Sequence, residues 1–307
     1  MSTGTDAARW VRPFGRSGSE GLAVDVTPDG SDWAHTGLLV AHLEAGGSHR
    51  LETGDREFVV VPLSGPVRVE VRDPDGGEHA VDLPGRTSVF AGPTDVAYVP
   101  RASRLSVSTP DGARVALTFA VAGKRPEPLP FRHIPAEDVP VELRGAGQCS
   151  REVRNFGTPD VLEADSIIAC EVLTPAGNWS SYPPHKHDEE RPGEETELEE
   201  IYYFETRATD DAPPDAEPVA YQRVYGTEDR PIDVLAEVRT GDVVLVPHGW
   251  HGPAMAPPGY DLYYLNVMAG PGPERVWLIC DDPAHGWVRR QWADEQIDPR
   301  LPFGGDQ

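Results

Sequence analysis

The chain has 307 residues, 38% hydrophobic and 25% charged, long enough for two ordinary domains and apolar enough to pack a core. Glycine (31) and proline (32) interrupt it too often for a coiled coil or a helical bundle. A net charge of −24, with no concentrated basic patch and no helix-turn-helix segment, argues against nucleic acid or an anionic membrane as a partner.

In chain order, residues 1–18 alternate polar and charged side chains without an apolar leader, and nothing downstream approaches the roughly 20 apolar residues of a membrane span; a cytoplasmic protein is expected. Strand-like runs follow at 37–43, 58–63, 66–72, 105–108, 114–121, 166–173, 201–206, 242–247 and 262–268. They are short, rich in Val, Ile, Tyr and Phe, and separated by Asp-Gly, Gly-Gly or Pro-Gly turns. Short helical turns are expected only near 136–143 and 158–165. The pattern predicts an all-β protein, sandwich or barrel. Cys149, Cys170 and Cys280 match neither a disulfide framework nor a zinc knuckle, and Cys170 sits in an apolar run as a core residue.

An internal repeat divides the chain. Glu57 opens an apolar strand as Glu200 does, and 94–100 resembles 241–247; the acid-to-proline spacings are 43 and 47 residues. The proline-rich stretch 123–130 is the expected boundary, giving domains 1–125 and 126–307.

The chemistry concentrates in the second domain. His185 and His187 stand two apart, which on an extended strand puts both imidazoles on one face. Glu199 and Glu200 open a later strand, and His251 follows a Pro-x-Gly turn. Two histidines, a carboxylate and a third histidine make a metal site with open positions. The two acids point to opposite faces of that strand, so one of them can join the set. The first domain lacks the set: His49 has no partner two residues away and Arg104 stands where His251 would. His35, His42, His79 and His133 are read as surface or packing residues.

This set resembles the metal signature of the cupins, in which the acid directly precedes the strand's alternating apolar residues; the resemblance favours Glu200, before Ile201, over Glu199, and implies two tandem jelly-roll-type β-barrels, the first without metal. In simple cupins a handful of residues separates the paired histidines from the acid. Here twelve intervene, seven of them acidic, and they are expected to form a solvated loop beside the site. The segments GNWSSYPPHKHD (177–188), EEIYYF (199–204), QRVY (222–225), PGYDLYYLNVMAG (258–270) and DPAHGW (282–287) are similar to the 5-deoxy-glucuronate isomerase family of myo-inositol catabolism. The resemblance implies an aldose–ketose isomerase that interconverts 5-deoxy-glucuronate and 5-dehydro-2-deoxy-gluconate.

For that reaction one divalent ion per chain (Zn²⁺, Mn²⁺, Fe²⁺ or Ni²⁺), held by His185, His187, Glu200 and His251, would polarise the substrate oxygens. The proton shuttle is left among Glu199, a metal-bound hydroxide, Lys186 and the tyrosines Tyr260 and Tyr264. Arg223 is the expected carboxylate fork, with Gln222 beside it and Asn266 and Tyr260 as further substrate contacts. A cupin dioxygenase and a non-catalytic sugar-binding cupin are the competing readings. Exposed barrel edges are compatible with a homo-oligomer.

Overall fold

The computed structural model describes residues 4–304 apart from 17, 20 and 31. It contains two β-barrels, each made of a large and a small antiparallel sheet. The large sheet of the first barrel has six strands, with Arg56–Ser64 paired on one side to Val96–Val99 and on the other to Ala113–Val121. The large sheet of the second has seven, with Glu199–Ala208 between Val243–Val246 and Tyr260–Ala269 in the equivalent place. No helix among the described residues is long and apolar enough to cross a membrane.

The barrels exchange strands. Val11–Arg12 pairs with Val243–Val246 at the edge of the second barrel's large sheet, and Arg132–Ile134 pairs with Val96–Val99 at the corresponding edge of the first. A division at residue 125 is thus crossed in both directions: the first residues of the chain complete the second barrel, and residues just past the linker complete the first. Each exchanged strand covers an edge that would otherwise offer unpaired backbone groups.

The two large sheets pack face to face, so their strands are buried on both sides and read as continuous apolar runs rather than alternating ones. Charged residues on this shared face are neutralised in pairs: Arg86 with Glu171, Arg114 with Glu205 at 2.9 Å, and Arg154 with Glu152 at 2.7 Å. The interior of the first barrel is filled by apolar side chains, with Phe58 against Phe119 at 4.9 Å between ring centroids.

Two short elements depart from expectation. Residues 136–138 form one 3-10 turn, but Val141–Arg144 continues as an edge strand, and 158–165 is a turn region without a helix. Pairing with Arg151–Gly157 decides the conformation at 141–144, a non-local contact that overrides weak local propensity.

Candidate metal centre and cavity

His185 and His251 lie directly opposite each other on neighbouring strands of the second barrel's small sheet. The two-residue spacing brings His187 to the same face, and ring centroids are 4.5 Å (His185–His251) and 4.6 Å (His187–His251) apart. Gly252 makes this approach feasible. Its φ of +98° favours glycine, and a Cβ there would lie 1.8 Å from the Ser181 carbonyl oxygen. Glu200 reaches in from the large sheet, with Oε2 3.1 Å from Nε2 of both His187 and His251. One ligand nitrogen from each of the three histidines falls within 4.8 Å of the others, and all four side chains are buried.

The surrounding bonds orient these ligands. Nδ1 of His187 lies 3.1 Å from the Leu198 carbonyl and Nδ1 of His251 lies 3.1 Å from that of Gly249. Protons donated to those carbonyls leave both Nε2 lone pairs aimed at the Glu200 carboxylate. Nε2 of His251 is buried without a hydrogen-bond partner. Acceptors converging on one point call for a positive charge between them, and this donor set fits a divalent ion of borderline softness. The electrostatics agree. Burial, then the neighbouring His251 and His187, hold the His185 pKa well below its ordinary value. Burial opposes ionisation of Glu200, but the adjoining His187 and His251 bring its pKa down to about 2.

A cavity of about 370 Å³ opens beside this centre, lined by His185, Glu200, Ser181, Tyr202, Tyr264 and Asn266 and also by Arg144, Arg151, Arg289 and Asp281. Strand alternation explains the lining. Glu200, Tyr202 and Phe204 point into the barrel, while Glu199, Ile201 and Tyr203 point toward the other barrel. Ser181 Oγ lies 3.1 Å from the Tyr264 hydroxyl and 3.2 Å from that of Tyr202. Ser181 has φ +47°, a left-handed conformation uncommon outside glycine and found at functional sites. A larger hollow of about 790 Å³ lies on the small sheet of the first barrel, where opposite charges such as Arg104 and Glu52 already pair with each other.

The structure brings His185, His187, Glu200 and His251 together and places Tyr264 and Asn266 on the cavity wall. It sends five other candidates elsewhere. The Glu199 carboxylate accepts hydrogen bonds from the backbone of Ala34, His35 and Thr36 and from the Thr36 hydroxyl, in the other barrel. Lys186, between the paired histidines, points away from them and is held by Asp188 at 2.6 Å and Glu195 at 2.7 Å. These bonds also order part of the acidic insertion, since Glu195 is buried and accepts from the Asp188 amide at 2.9 Å. Arg223 pairs with Asp233, donates to the Val234 carbonyl at 3.0 Å and stacks on Tyr225, because the alternation that turns Gln222 and Val224 inward turns it outward. Tyr260, four residues before Tyr264, is half-buried and does not line the cavity.

Gln222 is fully buried, with both amide atoms lacking a partner, but it too is absent from the cavity wall. The sequence reading missed the arginines. Arg151–Gly157 carries charge on both faces and was not expected to be a strand; the signal available was its alternation, with Arg151 and Val153 inward and Glu152 and Arg154 toward the other barrel.

Fold and centre together define a two-barrel cupin whose second barrel carries a three-histidine, one-carboxylate cluster. Residues 10–288 match the KduI/IolB family, and the chain belongs to that family. It is 41% identical over 282 residues to a 5-deoxy-glucuronate isomerase of Geobacillus kaustophilus, covering 92% of this chain and 95% of the relative. A Bacillus subtilis protein of the same description is 38% identical over 268 residues, 87% of this chain and 92% of the relative. Among solved structures, an IolB-like protein of Salmonella typhimurium superposes with a TM-score of 0.79 at 33% identity, over 91% of this chain and 99% of that one. Oxalate decarboxylase of Lactobacillus farciminis superposes at 0.63 with 13% identity over 89% and 88%, a likeness of fold alone.

Proposed function

We infer that the chain is an aldose–ketose isomerase acting on 5-deoxy-glucuronate, with one divalent ion per chain at His185, His187, Glu200 and His251. The observation that carries this reading is the assembled histidine–carboxylate cluster within a chain 41% identical to a relative of that activity along nearly its whole length. The net reaction moves one hydrogen from C2 to C1 and one from the C2 oxygen to the C1 oxygen. When bound, the ion would supply electrophilic polarisation of these two oxygens.

The chain's own groups supply position and proton control. Of the shuttle side chains considered, Tyr264 lines the cavity and Glu199 and Lys186 do not. Burial pushes the Tyr264 pKa up to about 12, so its hydroxyl carries a proton near neutrality. It therefore serves as a donor to a substrate oxygen, with Ser181 Oγ as the adjoining link to Tyr202. Asn266 adds an amide to the same wall, its Nδ2 held 3.3 Å from the Ile201 carbonyl.

The test is direct. Purified protein incubated with 5-deoxy-glucuronate and followed by proton NMR is expected to replace the aldose signals with those of 5-dehydro-2-deoxy-gluconate without oxygen. A spectrum unchanged with protein loaded in turn with Zn²⁺, Mn²⁺, Fe²⁺ and Ni²⁺ rejects the assignment. A requirement for oxygen would instead favour the dioxygenase chemistry that cupins also support.

A further inference from the structure

We propose that Arg151 captures the carboxylate of the sugar acid and sets the enzyme's preference for an acid over a neutral sugar. The proposal rests on the isomerase reading for its substrate, but its evidence is the electrostatics of the cavity wall. Three guanidinium groups line that wall, and two already have carboxylate partners. Arg144 is held by Glu142 through Nε at 2.9 Å and Nη2 at 2.7 Å, and Arg289 is held by Asp281 through Nε and Nη2. Arg151 is 5% exposed, and among the described residues its one side-chain hydrogen bond is from Nη1 to the Cys149 carbonyl at 3.0 Å. Among the described residues it has no carboxylate partner.

A buried cation without a counter-ion is unfavourable, and its setting makes it more so. Arg144 and Arg151 are direct cross-strand partners, and like charges in that relation repel. Arg289 adds a third charge nearby, stacked on the Trp292 ring at 4.9 Å while Arg151 stacks on the same ring at 5.3 Å. Burial leads, and Arg144 and Arg289 contribute, in lowering the Arg151 pKa to about 10, still charged near neutrality. In a chain of net charge −24 this is a buried guanidinium left without a carboxylate of its own, the fork that recognises a planar carboxylate with two hydrogen bonds. The cavity runs continuously from Arg151 to His185 and Glu200, so a sugar acid can place its carboxylate on the fork and its carbonyl end at the metal centre.

Steady-state kinetics on the metal-loaded protein test this with two substrates, 5-deoxy-glucuronate and 5-deoxyglucose, which carries CH₂OH in place of the carboxylate. For Arg151→Gln, kcat/KM on the acid should fall about 10- to 100-fold, mainly through KM, as for loss of a charge-assisted pair. Turnover of the neutral sugar should hold, and the melting temperature should not fall, because a repelled cation has been removed. Arg151→Lys, which keeps the charge and loses the fork, should raise KM for the acid alone, and it carries the test if the glutamine variant does not fold. Equal losses on both substrates, or an unchanged KM for the acid, overturn the proposal. If the unaltered protein isomerises neither sugar, the isomerase reading fails separately. Tryptophan fluorescence then decides: saturable binding of D-glucuronate but not D-glucose, lost in Arg151→Gln, sustains carboxylate capture, and its absence from the unaltered protein rejects it.

Discussion

Glu57 and Glu199 make the same connection between the barrels in opposite directions. Glu57, in the first barrel, accepts from the backbone amides of Asp165, Ser166 and Ile167 in the second; Glu199, in the second, accepts from those of Ala34, His35 and Thr36 in the first. Each gains a hydroxyl donor as well, Tyr98 at 2.6 Å and Thr36 at 2.9 Å. The registers identify them as equivalents: Glu57 pairs with Ala120 and Glu199 with Ala269, while the next residues, Phe58 and Glu200, pair with Val99 and Val246. Phe58 thus fills the position of Glu200, so an aromatic core residue stands in the first barrel where the second has the carboxylate of its cluster.

This equivalence makes Glu199 a joint between barrels rather than a proton shuttle. Glu199→Ala leaves three buried or half-buried amides without an acceptor and should lower unfolding free energy by roughly 2–4 kcal/mol. Glu57→Ala should do the same. Urea unfolding of both variants checks this, and a large loss of kcat for Glu199→Ala at unchanged stability would return it to the chemistry.

The buried pairs on the shared face yield a second prediction. Arg86 and Glu171 are about 3% and 1% exposed at the side chain, and Glu171 also accepts from the Tyr263 hydroxyl at 2.7 Å. Arg86→Met leaves the buried carboxylate with only the more distant Arg154, at 3.8 Å, as a cation and should cost about 3–5 kcal/mol, whereas adding Glu171→Leu should restore most of it. Denaturant titrations of the single and double variants measure the difference, and a double variant as unstable as the single one counts against it.

The histidine–carboxylate cluster was legible because HxH and a strand-opening acid have fixed spacings that alternation turns into a common face. The equivalence of Glu57 with Glu200 was off by one residue. Two adjacent acids open the second strand, and only the pairing register shows which of them matches Glu57. Arg223 was a wrong choice of fork for a related reason: its inward neighbour Gln222 and outward partner Asp233 depend on which sheet face is covered. Arg151 was missed because a strand buried on both faces can carry charges when they pair with one another, as Glu152 and Arg154 do, and Arg151 on the opposite face looks into the cavity. Exchanged strands such as Val11–Arg12 and Arg132–Ile134 are too short for any periodicity to show.

Acid should loosen the C-terminal segment at Asp298. Arg300, outweighing burial, and then the Arg300 amide and Asn178 hold its pKa at about 2, below the ordinary value of 3.8. Its Oδ2 accepts from Asn178 at 2.9 Å, and its amide donates to Ser150 at 3.0 Å, tying the tail to the second barrel. A depressed carboxyl stabilises the fold fully above the unfolded value, and that contribution disappears as pH falls from about 4 through about 2. Stability measured across this window should slope less in Asp298→Asn than in the unaltered protein; identical slopes contradict the assignment.

The final prediction separates the metal from the proton. His251→Ala removes an imidazole from the cluster, so bound metal measured by elemental analysis should fall along with turnover, while the barrels, held by apolar burial, keep their far-UV spectrum. Tyr264→Phe keeps the ring and its packing against Tyr202 at 5.0 Å but deletes the hydroxyl beside Ser181. It should retain metal and lose about 10²-fold in kcat, the usual size of a positioned acid–base contribution. Because the Tyr264 pKa lies near 12, the pH profile of the unaltered enzyme should show no limb from this group between pH 6 and 9. Reaction in D₂O completes the test: deuterium at C1 of the product reports proton transfer, and complete retention of the C2 hydrogen reports a hydride shift. Retention together with full activity in Tyr264→Phe would remove Tyr264 from proton handling and leave it a packing residue of the cavity wall.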